Sequence, residues 1–250
     1  MVTVGRAILN HTLLSPAITR RWFRPVAPVS GLGHAVGAPW EIYPFENSRV
    51  VDIYTKTGDA GVYSPMLALS PTHGVGFTIM AAGNDTHLIV ASLADLISNI
   101  LIPALDESAK EEARKRFTGT YALTQGINSS ITISTDDGPG LVVTSWLSNS
   151  TDMFETFAYL HGVTDPSLLS IRLYPTDLKS PGRLSFRALM QQIAADHESS
   201  VFAGSCATWQ LVGFQIYGNV ATDEFVFELD ENGDAVSVSP RVLRISLPKV

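Results

Sequence analysis

The chain has 250 residues, of which 45% are hydrophobic and 16% charged, and its formal net charge is −7 at pH 7. This length predicts one or two domains with a full hydrophobic core, and the acidic balance argues against nucleic-acid binding, which needs a concentrated basic face. A single cysteine, Cys206, excludes an internal disulfide framework, and the six histidines lack metal-ligand spacing, so neither a metal nor another cofactor is expected.

The first segment predicts two short helices followed by an antiparallel meander. Residues 2–23 have helical character in two pieces, and Ser15 and Pro16 have the pattern of an N-cap followed by a first-turn proline. A strand at 39–43 follows. Short links, which favour antiparallel pairing, then separate three predicted strands at 50–57, 62–70 and 74–82.

The longest apolar run, 88–105, is about the minimum length of a membrane span. Asp95, Asn99 and Pro103 interrupt it, and its apolar residues recur at helical spacing. We therefore expect an amphipathic helix packed on the core, continued by a solvated helical segment at 106–116, and no membrane span. The predicted apolar face consists of Leu93, Leu96, Ile97, Ile100, Leu101 and Ala104.

From Phe117 onwards, short strands alternate with turns, a pattern typical of a β-barrel or sandwich. The predicted strands are 120–124, 129–135, 141–147, 169–174, 184–186, 210–217, 223–229 and 235–247. One helix is predicted at 186–195. The acidic run 230–234 is interpreted as a hairpin turn, because it lacks the later glutamate of a calcium loop. The expected fold is α+β, with domains at 1–116 and 117–250.

The tripeptide Lys56-Thr57-Gly58 carries the clearest chemical signal. It ends the predicted strand 50–57 and precedes a glycine-containing turn, 59–61. Lys-Thr-Gly at a strand edge is one of three motifs that form the active site of serine β-lactamases and penicillin-binding proteins. Such a tripeptide arises by chance in roughly one in ten chains of this length. Its value as an indication of an active site therefore depends on the flanking strand and turn.

Those flanking residues carry a wider resemblance. Residues 1 to about 105 resemble the C-terminal half of the catalytic domain of fungal β-lactamase-related proteins, and 117–250 resemble the β-rich, lipocalin-like domain that follows it. The resemblance rests on the segments Leu14–Trp22, Gly37–Ile42, Asp52–Ser64 and Gly74–Gly83. The first half of that catalytic domain, with the Ser-x-x-Lys nucleophile motif, has no counterpart in this resemblance.

The resemblance implies roles for four residues. Lys56 would hold an electropositive field at a substrate carboxylate or carbonyl and assist proton movement, and Thr57 would donate a hydrogen bond to the substrate. The edge strand that ends at Gly58 would align the substrate. The backbone N–H of Asp59 would supply one arm of an oxyanion hole. A formal Ser-x-x-Lys match at 246–249 follows Lys56 in the chain and contains a proline, so we expect it to be non-functional.

Three functions stay open from the sequence. The chain could be part of a β-lactamase-like serine hydrolase or transesterase that is inactive in acyl transfer alone, with an N-terminal half or a second copy covering the exposed sheet. It could be a remnant without a nucleophile that binds or cyclises a lipophilic small molecule, held in the barrel-like domain. It could be an interaction or structural protein without a ligand.

The cellular compartment is left open by two opposed signals. The family resemblance and four N-x-[ST] sequons indicate a secretory origin. The N-terminus has neither the long apolar core nor the cleavage site of a signal peptide. The sequon asparagines are Asn10, Asn84, Asn128 and Asn149.

Overall fold

The structure is a computed structural model. It describes residues 1–31, 33–46, 50–193 and 209–250. Two compact units divide the chain: unit 1 comprises residues 1–108 and unit 2 comprises residues 109–250. Each unit is built on one large antiparallel sheet, so the predicted α+β class is confirmed. The four α-helices within the described residues are α1 (Val2–Leu9), α2 (Pro16–Trp22), α3 (Thr86–Phe117) and α4 (Met153–Leu160).

Unit 1 contains a six-stranded meander in which every strand pairs with the next along the chain. Its strands are β1 (Ala27–Pro28), β2 (Ala35–Val36), β3 (Glu41–Glu46), β4 (Val50–Thr57), β5 (Tyr63–Ser70) and β6 (Val75–Ala82). Short links leave each strand no room for a crossover, which explains the antiparallel order. The three strands predicted between residues 50 and 82 are confirmed.

The two N-terminal helices of unit 1 follow from local signals. The Ser15 side chain accepts a hydrogen bond from the Ile18 N–H at 3.4 Å and caps α2, which begins with a proline. Gly5, the buried residue of α1, lies where an added Cβ would come within 3.1 Å of Leu69. A glycine there allows α1 to approach β5 closely.

Helix α3 packs on the face of the sheet opposite to the N-terminal helices. Alternate side chains of β5 point to opposite faces, so this strand contacts helices on both sides. Val90 and Ile102 are its most buried apolar residues. The predicted apolar face is only partly correct, since Leu93, Leu96 and Ile100 are 40%, 56% and 65% exposed. Apolar residues surround more than half of this helix, whereas the sheet contacts it on one side only.

By length and composition, α3 is the one helix within the described residues that could cross a membrane, with a mean hydropathy of 2.0 in its most apolar stretch. Only 17% of that stretch is buried inside the structure. A single helix of this kind is weak support for a membrane span, because core helices of soluble proteins have the same composition.

Unit 2 contains a nine-stranded sheet and a small separate hairpin. Its strands are β7 (Gly119–Ala122), β8 (Ser130–Ser134), β9 (Leu141–Ser148), β10 (Thr151–Asp152), β11 (Leu169–Ser180), β12 (Arg183–Gln192), β13 (Ile216–Tyr217), β14 (Val220–Ala221), β15 (Glu224–Leu229), β16 (Ala235–Pro240) and β17 (Leu247–Pro248). The hairpin is β13–β14, and the sheet runs β17-β16-β15-β12-β11-β9-β8-β7, with β10 paired to β9. An isolated bridge between Tyr121 and Lys249 brings its two ends together. The predicted barrel-like sheet is thus nearly closed.

Aromatic side chains fill the interior of this barrel. Trp146 stacks on Phe157 of α4, with ring centroids 5.3 Å apart, and Phe227 makes edge contacts with Phe117 and Phe186. The Tyr121 hydroxyl donates to the Phe117 carbonyl at 2.7 Å, and burial raises the pKa of Tyr121. The interior formed by the described residues is therefore occupied by protein side chains.

Several sequence predictions in unit 2 require correction. The strand predicted at 235–247 ends at Pro240, where the 3₁₀ helix Arg241–Leu243 begins. The helix predicted at 186–195 is wrong where the structure describes it, because residues up to Gln192 form β12. Phe186, Ala188 and Met190 all belong to the barrel core, which is the period of two of a strand. The strand predicted at 210–217 is reduced to β13, and helix α4 was not predicted.

Two further interpretations from the sequence concern the acidic run 230–234 and Cys206. The acidic run 230–234 forms the predicted hairpin turn, in which the Asp230 carboxylate accepts hydrogen bonds from the Asn232 and Asp234 N–H groups at 2.9 and 2.8 Å. Cys206 lies outside the described residues.

Candidate functional site

Lys56, Thr57 and Gly58 lie where β4 ends at an open sheet edge. The ladder between β3 and β4 starts at the Glu41–Thr55 pair, so no strand of the described residues pairs with Lys56 and Thr57 on that side. On the other side they pair with β5, opposite Leu67 and Met66. An extended substrate can add to an edge of this kind through main-chain hydrogen bonds.

The carboxylate of Glu41 occupies this open edge. Its Oε1 accepts hydrogen bonds from Lys56 Nζ at 2.6 Å and from Thr57 Oγ1 at 3.0 Å, and it lies 3.5 Å from the Thr57 backbone nitrogen, the outer limit for a hydrogen bond. Its Oε2 accepts from Thr55 Oγ1 at 3.0 Å. One carboxylate therefore collects the donors that the family resemblance assigns to a substrate.

The pKa of Glu41 reflects these contacts. Burial raises it, but the hydrogen bonds from Lys56, Thr57 and Thr55 outweigh burial, so the pKa lies below its usual value. Glu41 is therefore ionised at neutral pH. Its charge offsets that of Lys56, so Lys56 does not act as an isolated cation in this structure.

The turn after Gly58 presents a backbone donor. The Gly58 N–H bonds to the Pro65 carbonyl at 3.2 Å, and Ala60 and Tyr63 exchange hydrogen bonds. No acceptor within the described part of the chain takes the N–H of Asp59, which lies between them. This group is available to a ligand, as an oxyanion donor must be.

A histidine absent from the sequence prediction lies beside this turn. His87, in the first turn of α3, bonds through Nδ1 to Asp59 Oδ2 at 3.1 Å. Below them, the buried Ser64 hydroxyl contacts Thr86 Oγ1 at 2.8 Å. The pKa of Asp59 lies below its usual value, first because of the Ser64 hydroxyl and then because of His87. The Glu41–Lys56 ion pair and the Asp59–His87 hydrogen bond therefore flank Gly58.

A second group of side chains has the connectivity of an acyl-transfer triad. Ser70 Oγ lies 2.9 Å from His73 Nδ1, and His73 Nε2 lies 3.0 Å from Asp106 Oδ1. In hydrolases the serine must reach the substrate, whereas Ser70 is only 4% exposed. The adjoining void of about 10 Å³ holds no substrate. We interpret this group as a buried link between the β5–β6 turn and α3.

The sequence signals for these residues were weak. Glu41 opens a strand, and only the register with β4 places it against Lys56. His87 and Asp59 are separated by a whole strand pair, and Asp106 is 33 residues from His73. None of these pairs follows a local spacing rule.

The formal Ser-x-x-Lys match at 246–249 has the surroundings of a structural segment. Its central residues form β17, so Ser246 and Lys249 do not share a helical turn. Ser246 Oγ bonds to Ser237 Oγ at 3.2 Å, and Lys249 Nζ lies 5.7 Å from the Tyr121 ring centroid. This match does not form a nucleophile and base pair.

A pocket in the described part of unit 2 contains a polar atom that lacks a hydrogen-bond partner. The pocket has a volume of about 260 Å³ and lies between α4, β12 and the segment before β13. His161 Nε2 is buried in the pocket wall without a partner in the described structure, and burial lowers the pKa of His161. The other lining residues include Leu160, Met190, Leu211, Phe214 and Asp223.

Comparisons with known proteins relate this chain to β-lactamase-like proteins. The family described as "Beta-lactamase-like-like, C-terminal domain" matches residues 109–250. A beta-lactamase-like protein of Arthroderma benhamiae is 26% identical over 279 aligned positions, which cover 97% of this chain and 46% of the relative. The probable hydrolase clz13 of Cochliobolus lunatus is 28% identical, covering 60% of this chain and 25% of the relative.

Among solved structures, the octameric penicillin-binding protein homologue from Pyrococcus abyssi is 13% identical, with a TM-score of 0.30 over 93% of this chain and 42% of that protein. The chain spans about half the length, or less, of the curated relatives that it matches.

Proposed function

This chain belongs to the β-lactamase-like family through its C-terminal domain, and we propose that it supplies one wall of a serine acyl-transfer site whose nucleophile comes from another segment. In this proposal residues 1–116 are the C-terminal half of the catalytic domain and residues 117–250 are the domain that follows it. Lys56 and Thr57 act on the substrate, and the Asp59 N–H is one oxyanion donor. The chain by itself does not catalyse acyl transfer.

The observation that carries this proposal is the open end of β4. Its side chains, its unpaired edge and the available Asp59 N–H converge within a few residues. Oxyanion stabilisation needs a preorganised donor of this kind, and a second donor comes from the nucleophile in serine hydrolases. The relatives that bear the word hydrolase support the same chemistry.

The exposed side of α3 supports the need for another segment. Ile89, Leu93, Leu96 and Ile100, which we call the outer stripe, are 40–65% exposed. They follow one another at intervals of four, three and four residues, the spacing of a helix–helix seam. A contiguous exposed apolar surface marks an interaction site more often than a free surface.

The test is to reconstitute the site. The chain alone is treated with a fluorophosphonate probe and with a β-lactam, and adducts are sought by mass spectrometry. We then coexpress it with the part of the Arthroderma benhamiae relative that precedes the matched region. We expect no adduct on the chain alone, and labelling of the added segment with ester hydrolysis in the reconstituted protein.

Matched variants distinguish the site from the fold. In the reconstituted protein, Lys56→Ala should lower kcat/KM by about 10²-fold or more, the typical loss for an electrostatic group at the reacting centre. Lys115→Ala removes an exposed lysine from the same chain and should leave the rate unchanged. A covalent adduct on a serine of this chain, or equal rates for both variants, would contradict the proposal.

A second candidate function rests on the pocket beside His161. It combines apolar walls with an imidazole nitrogen that lacks a partner, which suits a small uncharged molecule with one hydrogen-bonding group. In this candidate the small molecule binds beside His161 and not in the barrel interior, which side chains fill.

This candidate is tested with phenol as the probe, followed by NMR of the whole chain. Binding in the pocket should shift the His161 ring signals, and His161→Phe should weaken it at least tenfold. Equal phenol affinities for the parent and the variant, measured on the amide signals of the other pocket residues, would eliminate this function.

A further inference from the structure

The donors at the end of β4 already hold an anion, and that anion is part of the chain. Glu41 Oε1 contacts Lys56 Nζ and Thr57 Oγ1, with the Thr57 N–H behind them. A cationic amine, a hydroxyl and an amide converging on one carboxylate oxygen are the groups that would otherwise bind a carboxylate of the substrate. Both oxygens of Glu41 are engaged, because Oε2 accepts from Thr55.

The sheet register explains why Glu41 reaches this position. Glu41 is the first residue of β3 and lies directly opposite Thr55. Thr55 and Thr57 share one face of β4, since side chains alternate along a strand. Lys56 points to the other face, and its long stem brings Nζ around the open edge to the same carboxylate. Glu41 therefore lies beside the end of β4, where all three side chains contact its carboxylate.

We propose that Glu41 is the built-in occupant of an anion subsite at this edge and that it selects substrates without a carboxylate at that position. This inference rests on the proposed function. A substrate carboxylate would meet Glu41 at the same donors, and two carboxylates cannot both be ionised there without a large cost. The substrate class is therefore neutral esters or amides.

The pair is accessible enough to be removed without loss of the fold. The Lys56 and Glu41 side chains are 45% and 27% exposed, so solvent screens much of their attraction. Ile42, the neighbouring residue of β3, belongs to a buried cluster that does not depend on the Glu41 carboxylate. Substitution of Glu41 therefore opens the subsite in a folded chain.

The first experiment needs no catalysis. Acetate is titrated into the 250-residue chain, and the Thr57 amide signal is followed by NMR. The parent chain should show no saturable shift, whereas Glu41→Ala should bind acetate at least tenfold more tightly. Glu46→Ala removes an exposed carboxylate from the other end of β3 and should behave as the parent.

Two further variants test whether acetate binding depends on the charge of Glu41 and on Lys56. Glu41→Gln retains the shape of the side chain and should give acetate binding between the parent and Glu41→Ala, whereas Glu41→Ala with Lys56→Ala should abolish it. Equal acetate affinity in the parent and in Glu41→Ala, or no binding in a Glu41→Ala chain with a native-like spectrum, would overturn the inference.

The second experiment uses the reconstituted protein. The rate ratio between 4-nitrophenyl butyrate and the anionic 4-nitrophenyl hydrogen glutarate should favour the neutral ester, and Glu41→Ala should shift this ratio at least tenfold towards the anionic ester. An unchanged ratio would contradict the selection role. If no ester is hydrolysed at all, the proposed function fails, while the acetate titration still decides whether Glu41 fills the subsite.

Discussion

Unit 2 gathers its apolar side chains into one continuous core, whereas the described residues of unit 1 divide theirs among three smaller clusters. The sheet of unit 2 returns on itself, since the Val250 N–H bonds to the Thr120 carbonyl at 3.0 Å and the edge strands are joined. In unit 1 the end of β4 extends beyond its pairing with β3, and helix α3 exposes the outer stripe.

This difference separates stability from function within one chain. Unit 2 satisfies its own edges and fills its own interior, so it has the properties of a self-sufficient fold. Unit 1 carries the candidate site at the end of β4, which extends beyond its pairing with β3. In the proposed function a further segment completes both the site and the packing of α3.

The largest expected effect breaks the core of unit 2. Phe227 is fully buried among three aromatic side chains, so Phe227→Ala should lower the free energy of unfolding by about 3–5 kcal/mol. Urea denaturation followed by tryptophan fluorescence measures this change. Phe214→Ala, at a 75% exposed position, should change stability by less than about 0.5 kcal/mol. Similar losses for both variants would mean that the core is not the basis of stability.

The next effect concerns the buried charge of unit 2. Arg172 makes two hydrogen bonds to the Asp136 carboxylate and one, at 3.0 Å, to the Pro139 carbonyl. Arg172→Met should cost about 2–3 kcal/mol in the same denaturation experiment, since three charge-assisted contacts are lost. Arg183→Met removes an exposed pair with Glu228 and should cost under about 1 kcal/mol. Equal losses of unfolding free energy for the two variants would indicate that Arg172 is solvated.

The third effect compares the buried side of α3 with its exposed side. Val90 is 2% exposed, and Val90→Ala should cost about 2 kcal/mol. Leu96 lies in the outer stripe, and Leu96→Gln should change the free energy of unfolding by less than about 0.5 kcal/mol while reducing the binding of the dye anilinonaphthalene sulfonate. A large, concentration-dependent loss for Leu96→Gln, checked by analytical ultracentrifugation, would show that a second copy of the chain covers the stripe.

The smallest effect is a pH dependence in unit 2. Burial lowers the pKa of His161 in the folded chain. The unfolded chain, with a histidine pKa of about 6.5, then binds the proton first. The stability that neutral His161 contributes is present above that pH and declines as the pH falls towards the folded pKa. Unfolding free energies at pH 7.5 and pH 5 should therefore differ less in His161→Gln than in the parent, and equal differences would contradict this assignment.

Sequence patterns predicted the elements that local signals define. The meander of unit 1 follows from alternating strands with short links, and the start of α2 follows from Ser15 and Pro16. The barrel-like sheet of unit 2 is also predicted, but the part of β12 from Phe186 onwards is predicted as a helix, because its apolar residues are also compatible with a helical period. Pairing with β11 and β15 resolves that ambiguity.

The residues of the candidate site also fall into two groups: those that a local motif predicts and those that it does not. Lys56, Thr57, Gly58 and Asp59 form a contiguous segment, so a motif at a strand end was enough to find them. Glu41 and His87 reach the segment from other elements, and no spacing in the chain predicts their contacts. Contacts across a sheet depend on register, which nonlocal packing determines.

By itself, the sequence determined the family, the fold class and the position of the Lys-Thr-Gly strand end, because each depends on residue order and local periodicity. Only the tertiary structure decided that Glu41 lies against the end of β4, that aromatic side chains fill the barrel, and that most of the predicted apolar face of α3 is exposed. These features depend on which surfaces meet in space, and a helix that is apolar around most of its circumference does not encode which side finds a partner.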